Sequence, residues 1–226
     1  MKIVIYSVNT GSYDQFMDPP IIDPNVRYIL FTDNKYYRSN IWEVNHVDFI
    51  DQSLDTRKKA RFVKLNPHKI LPKHDISIWV DSCYKTKFSN TENFLKEISF
   101  NDGIMCFKHN ERNCIYDEAK VVVKDKLDYA KIVEQQMNRY KSEGFPKNYG
   151  LFDSGFTIRS NNDSVNKFNE KWWLELNTNS SRDQLSQVYS SWVTNIKINP
   201  INVLGSIYDN KYLTKKIKHP KRWTVS

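Results

Sequence analysis

The sequence predicts an α/β fold, a mixed and mostly parallel sheet flanked by helices. Two observations carry that expectation. Short apolar runs, "IVIYSVNTG", "VRYILFTDN" and "ISIWVDS", each end in a polar turn. Between them lie stretches whose apolar residues recur every three or four positions, and strands alternating with such helices build parallel sheets. A third observation concerns where the runs stop. Asp81 follows Val80 directly, and the carboxyl edge of an open α/β sheet is where ligands bind. Asp is also a good turn former, so the segment by itself fits an ordinary strand end as well.

Taken in order, Ile3 to Val8 reads as a strand emptying into "NTGSYD". "VRYILFTDN" is a second strand ending on Asp33, and "IWEVNHVDF" a shorter third. "LDTRKKARFVKLNPHKI" is a helix stopped near Pro67, with Arg57, Arg61 and Lys64 at i, i+4 and i+7 on one face. Next, Ile76, Ile78 and Val80 alternate with Ser77 and Trp79, so a strand there shows the two sets to opposite faces. "TENFLKEI" reads as a helix capped by Thr91, with Phe94, Leu95 and Ile98 inward. "GIMCFKH" is strand-like. Leu127, Ala130, Val133, Met137 and Tyr140 place a helix over about 127–141, ended by Gly144–Phe145–Pro146.

"YGLFDSGFTIRS" is a strand with a glycine inside it. Asp163 or Ser164 is expected to cap the next helix, which carries Val165, Phe168, Trp172 and Leu176. Ser181 is expected to cap the last helix, which carries Leu185, Val188, Tyr189 and Trp192. "IKINPINVLG" is a short strand and turn before a basic tail, "KKIKHPKRW". With no repeat, low-complexity tract or linker, the expectation is one domain over residues 1–226.

The formal charge of +8, from 34 Lys and Arg against 26 Asp and Glu, favours anionic partners. Nucleic acid is not expected, because helix-turn-helix, RNP-like, KH and zinc-finger patterns are all missing. A nucleotide-bearing ligand or a peripheral contact with an acidic membrane surface is consistent with the charge. Three cysteines without a CxxC spacing argue against a disulfide framework and for a reducing, cytoplasmic compartment. The opening apolar run is too short for a signal peptide and no run approaches a membrane span. No GxSxG, GxxxxGK[ST], HExxH or GxGxxG motif is present, which removes the commonest hydrolase and nucleotide signatures.

Several clusters remain as candidates for chemistry. Arg57, Arg61 and Lys64 together suit a diphosphate, Arg as a planar fork and Lys as a point charge; a solvated helix face accounts for them equally well. Asp81 suits a hard cation such as Mn²⁺ or Mg²⁺ that shares its coordination with phosphates, and His219 is a candidate second ligand. "KHNERNCIYDEA" gathers His109, Arg112, Tyr116, Asp117 and Glu118, a mixture of donors, acceptors and rings that suits a sugar or a surface loop. In "SSRDQLS", Asp183 in a first helical turn is explained by the helix dipole, whereas Gln184 is not. Trp173 beside Trp172 offers either a stacking face for a sugar ring or core packing.

The series "IVIYSVNTGSYD", "LFTDN", "RKKARFVKLNPHKILPKHDISIWVDS", "KHNERNCIYDEA", "EQQMNRYKSEGFP", "GLFDSGFTIRS" and "KWWLELNTNSSRDQLS" resembles, in order and over nearly the whole chain, the family catalogued as domain of unknown function 616. Its members include bacterial polysaccharide-locus proteins and, in plants, the turgor-regulation-defect protein and a mucilage-related glycosyltransferase-like protein. The resemblance implies a compact glycosyltransferase-A type, Rossmann-like domain, distantly akin to the glycogenin-like retaining transferases. It implies that Tyr13 and Asp33 lie near the nucleobase and ribose. Asp81 matches the first aspartate of an Asp-x-Asp metal element, whose third position is Cys83 here. It also implies that "DSGFTI" shapes the acceptor side. Asp183 and Gln184 would stand beside the reacting sugar carbon, with Arg182 assisting, and His219 would be a late metal ligand.

The expected function is therefore transfer of a sugar from a nucleotide-sugar donor to a glycan or polysaccharide acceptor. That transfer is expected to be assisted by Mn²⁺ or Mg²⁺ and to retain configuration. Metal-assisted amide hydrolysis through Asp81, His109 and His219, or glycan binding without catalysis, are the alternatives.

Overall fold

The computed structural model describes residues 1–14, 16–203, 208 and 210–215. The main sheet has seven strands. Strands β1 (Ile3–Asn9), β2 (Arg27–Thr32), β3 (Glu43–His46) and β4 (Ile76–Val80) run parallel, β1 lying between β2 and β4. Strand β7 (Phe152–Ser160) pairs antiparallel with both β4 and β6 (Ile104–Lys108), and β8 (Ile198–Pro200) closes the far edge parallel to β6. The order β3-β2-β1-β4-β7-β6-β8 leaves β7 alone reversed, the mixed and mostly parallel sheet of a glycosyltransferase-A type fold.

Strand β4 is buried along its whole length. Ile76, Ile78 and Val80 enter one core cluster and Trp79 enters another, as the two-residue period requires. Helix α1 (Thr56–Leu65) is capped by Asp55, whose carboxylate accepts the Lys58 N–H, and it packs on β1. Pro67 stops that helix and opens a four-residue one, α2 (Pro67–Ile70), where a missing N–H costs nothing. Helices α3 (Thr91–Glu97), α4 (Ile115–Lys124), α5 (Ala130–Ser142), α6 (Asp163–Thr178) and α7 (Asp183–Thr194) follow, and a 3₁₀ turn spans Val47–Phe49.

Several local expectations are corrected. The caps are Asn90 for α3, in place of Thr91, and Asn162 for α6, in place of Asp163 or Ser164, because Asn accepts the free N–H groups from an extended backbone. Helix α7 has Arg182 at its cap position and no capping side-chain bond, so Ser181 does not cap it; Ser181 instead bonds Asp128. The segment after His109 is helical as α4, which buries Ile115, Tyr116, Glu118, Ala119 and Val122. Helix α5 begins at Ala130 and leaves Leu127 outside it. A two-stranded ladder, β5 (Tyr84–Thr86) with β9 (Leu213–Lys215), had no sequence signal because each strand is three residues long.

The reversal of β7 brings its first residues, rather than its last, to the carboxyl edge of the sheet. Register between β6 and β7 jumps from Cys106↔Thr157 to Phe107↔Asp153. That bulge lifts Ser154–Gly155–Phe156 out of the β6 pairing and re-aims them toward the end of β4. The backbone N–H of Asp81 donates to the Gly155 carbonyl at 2.8 Å, joining the two strands at the edge.

Candidate functional site

A cleft of about 610 Å³ opens at this edge. The carboxyl ends of β1 and β4, the segment after β6, the start of β7 and the first turns of α1 and α7 all reach it. Of the residues singled out from sequence, Tyr13, Arg57, Arg61, Asp81, His109, Arg112, Arg182, Asp183 and Gln184 line it.

An ionic relay runs beneath. Lys64 Nζ donates to Asp183 Oδ2 at 2.6 Å, to Ser154 Oγ at 3.1 Å and to Asp81 Oδ1 at 3.3 Å. Asp183 Oδ2 also accepts from Ser154 Oγ at 2.9 Å and pairs with Arg61 Nη1 at 3.1 Å. Lys64 and Asp183 are both buried, with side chains 1% and 4% exposed. Burial on its own raises the Asp183 pKa; Arg61 and Lys64 outweigh it and hold the carboxyl far below the usual range. Lys64 does share a side with Arg57 and Arg61, but it is no free diphosphate donor, because its ammonium is spent on Asp183 and Asp81. Asp183 is likewise turned into the relay rather than toward open cleft.

Arg159, on β7, anchors the relay from below. Its guanidinium donates to the Lys64 carbonyl at 2.7 Å and to Asn169 Oδ1 at 2.9 Å. The Tyr6 hydroxyl donates to the same Lys64 carbonyl at 2.8 Å. Trp172 fixes the other end, its indole N–H donating to the Asp183 carbonyl at 2.9 Å.

Asp81 is held in place by the indole N–H of Trp79, 2.7 Å from Oδ1, while its carboxylate keeps 31% of its surface exposed to the cleft. Across from it stands Asp153, a residue not singled out as a ligand. A β-carbon built on Gly155 would lie 3.0 Å from Asp153 Oδ1, 3.3 Å from Asp81 Oδ2 and 2.9 Å from the Tyr84 ring. Both carboxylates therefore crowd one point that only glycine leaves clear. Among the described residues no group of three or more His, Cys, Asp or Glu converges as a ligand set. Two carboxylate oxygens nonetheless fit a hard divalent cation that takes its remaining ligands from phosphate and water. Cys83, at the third position of the Asp-x-Asp element, is buried, and a thiol is the softer match.

The far wall holds His109 and Arg112. His109 Nδ1 accepts the N–H groups of Glu111 at 3.2 Å and Arg112 at 3.1 Å, and Arg112 Nη2 lies 3.4 Å from Nε2. Arg112 Nε donates to the buried Glu118 at 2.6 Å and its Nη1 to Glu111 at 2.8 Å. This arginine is already matched by carboxylates.

Besides Lys64, the candidates Asp33 and Trp173 lie outside the lining. Asp33, at the end of β2, accepts the Gly11 N–H at 2.7 Å and so fixes the loop that carries Tyr13. Gly11 has φ +65° and its β-carbon would strike Thr56 at 2.8 Å, so glycine is required there for the loop to rest on α1. Trp173 meets Phe62 edge-on at 5.2 Å between α6 and α1, where it packs helices together. Of the two uses read for Trp173, packing is the one this contact supplies. His219 lies outside the described residues, as does the basic tail around it.

The short motif "DSG" was the signal that could have found Asp153, Ser154 and Gly155 as a unit. Glu118, already part of the cluster read from the sequence with His109 and Arg112, lines the cleft as well.

Comparison with known proteins agrees with this architecture. No curated protein sequence matches the chain. Among solved structures, one titled "WbbM bifunctional glycosytransferase apo structure" aligns with a TM-score of 0.50 at 11% identity, covering 83% of this chain and 37% of that one. At that identity the likeness shows the fold alone, and the chain spans little more than a third of the length of the protein it aligns with. No helix among the described residues is long and apolar enough to cross a membrane. The family described as "TOD1/MUCI70, glycosyltransferase-like domain" matches residues 5–219, and the chain belongs to it.

Proposed function

We propose that the cleft takes a nucleotide-sugar donor and transfers its sugar to a hydroxyl of a glycan acceptor. One observation carries the reading: arginines from two helices face a carboxylate pair across a cleft at the sheet's carboxyl edge. A nucleotide sugar needs both, a positive wall for its diphosphate and oxygen donors for a cation or sugar hydroxyls.

Asp81 and Asp153 would hold Mn²⁺ or Mg²⁺, which supplies positive charge to the departing diphosphate. The chain's own residues do the rest. Trp79 and Lys64 hold Asp81 in position, and Arg57 of α1 and Arg182 at the α7 cap meet the negative charge of the leaving group. Gln184 lines the cleft at the first turn of α7, its amide oriented toward the Phe152 carbonyl and Arg182 at 3.5 Å each. It would line the sugar carbon as that carbon gains positive character. Asp183 is bonded to three donors and does not offer a nucleophile, which favours attack by the acceptor on the face the diphosphate leaves. In that step the bond from the anomeric carbon to phosphate breaks and the bond to the acceptor oxygen forms. The acceptor's proton passes to the departing phosphate oxygen.

The test is a thermal-shift panel of nucleoside diphosphates with and without Mn²⁺. At least one is expected to raise the melting temperature, with a further rise on adding Mn²⁺ that Asp81→Ala removes. If no nucleoside diphosphate stabilises the fold, the reading falls. A cation held tightly with no nucleotide then points to metal-assisted hydrolysis, and binding of glycan alone points to a non-catalytic role.

A further inference from the structure

Not all cations of the cleft are equivalent. Lys64 and Arg61 are paired with Asp183, and Arg112 with Glu111 and Glu118. Arg57 and Arg182 have no carboxylate within ion-pair distance among the described residues. Arg57 makes a single bond, from Nη1 to the Leu127 carbonyl at 3.3 Å. Arg182 reaches only the Gln184 amide oxygen, at 3.5 Å. Meanwhile the Arg57 Nη2, Arg61 Nε and Arg182 Nε groups are buried and meet no acceptor among the described residues.

Such an arrangement is expensive. A buried N–H on a charged group that finds no acceptor loses its hydration without return. Burial first, and then the like charges of Arg61 and Arg182, push the Arg57 pKa down to about 10. Asp128 and Asp183 act on Arg57 only from beyond ion-pair distance. A chain that keeps two guanidiniums side by side with no carboxylate directly bonded, each lining the same cleft, is preorganised for an oxyanion with several acceptor oxygens. Both arginines and Tyr13 lie close enough to interact electrostatically, which places the pair between the β1 exit loop and the first turn of α7.

We infer that Arg57 and Arg182 form a diphosphate clamp that binds its ligand without a divalent cation, Arg61 and Lys64 serving to position it rather than to contact the ligand. The inference rests on the nucleotide-sugar reading for the identity of the ligand, but the clamp itself is testable with inorganic pyrophosphate. The positive charge of the clamp belongs to the protein, so removal of Mn²⁺ takes away only what Asp81 and Asp153 recruit.

Calorimetric titration of the full chain in EDTA, with inorganic pyrophosphate and with nucleoside diphosphates, tests this. Pyrophosphate is expected to bind in EDTA, and Arg57→Met or Arg182→Met to weaken it about tenfold or more, as loss of a charged bidentate contact requires. The free variants are expected to melt at or above the wild-type temperature, since each removes a half-buried guanidinium that carries a buried, unmatched N–H. A residue with a purely structural role would lower it. Should a methionine variant not fold, Arg182→Lys keeps the charge and loses the fork; affinity within about twofold of wild type then overturns the clamp. Binding that is lost in EDTA, or that ignores both arginines, overturns it too. If pyrophosphate binds through the arginines while no nucleoside diphosphate does, the clamp stands and the nucleotide-sugar reading fails.

Discussion

Lys64 Nζ and Asp183 Oδ2 lie 2.6 Å apart although 119 positions separate them in sequence. That contact ties α1 to α7 under the cleft floor and, through Asp81, to the end of β4. A buried pair of this kind is costly to desolvate and more costly to break, because the survivor is left as an isolated charge.

Lys64→Met should therefore lower the unfolding free energy by about 3–5 kcal/mol, the range for removing one partner of a buried pair. The double change Lys64→Met with Asp183→Leu should lose less than Lys64→Met alone. Urea denaturation of the three variants reads the difference.

Stability should also depend on pH through Asp183. Its folded pKa is held far below the unfolded value of about 3.9. The ionised form thus contributes fully above that value, and the contribution is lost as pH falls from about 5 through 4 and beyond. The gap in stability between wild type and Asp183→Asn should be flat near neutrality and shrink over that acid range. Thermal melts at stepped pH measure it, and a gap that widens on acidification would contradict the pairing.

Gly155→Ala forces a β-carbon to within 2.9 Å of the Tyr84 ring and 3.0 Å of Asp153 Oδ1. Overpacking of this kind costs about 1–3 kcal/mol. The same variant should spread the two carboxylates and weaken Mn²⁺ uptake, read by electron paramagnetic resonance in the presence of a nucleoside diphosphate. Asp81→Asn and Asp153→Asn should each weaken that uptake at least about tenfold, the loss that even outer partners of metal ligands produce.

Gln184→Ala should lower turnover about 10²-fold with little change in donor KM, if the amide acts on charge that develops only in the transition state. Initial rates with the donor identified by the binding panel check this. A change confined to KM would assign Gln184 to ground-state binding.

The alternation in "ISIWVDS" determined by itself that Ile78 and Trp79 face opposite cores, because side chains in a strand change face at every residue. The i, i+4, i+7 spacing likewise determined that Arg57, Arg61 and Lys64 share one side of a helix. Local periodicity fixes local direction, and in both places the fold kept it. What spacing cannot reveal is depth. Lys64 sits at the buried end of its row and Arg57 at the cleft, a difference set by α1 packing against β1 and α6. Nor does any neighbour in sequence announce that Asp153 and Asp81 flank Gly155 together. That meeting follows from one strand running backwards with a bulge at its start, and strand direction is decided by pairing across the sheet.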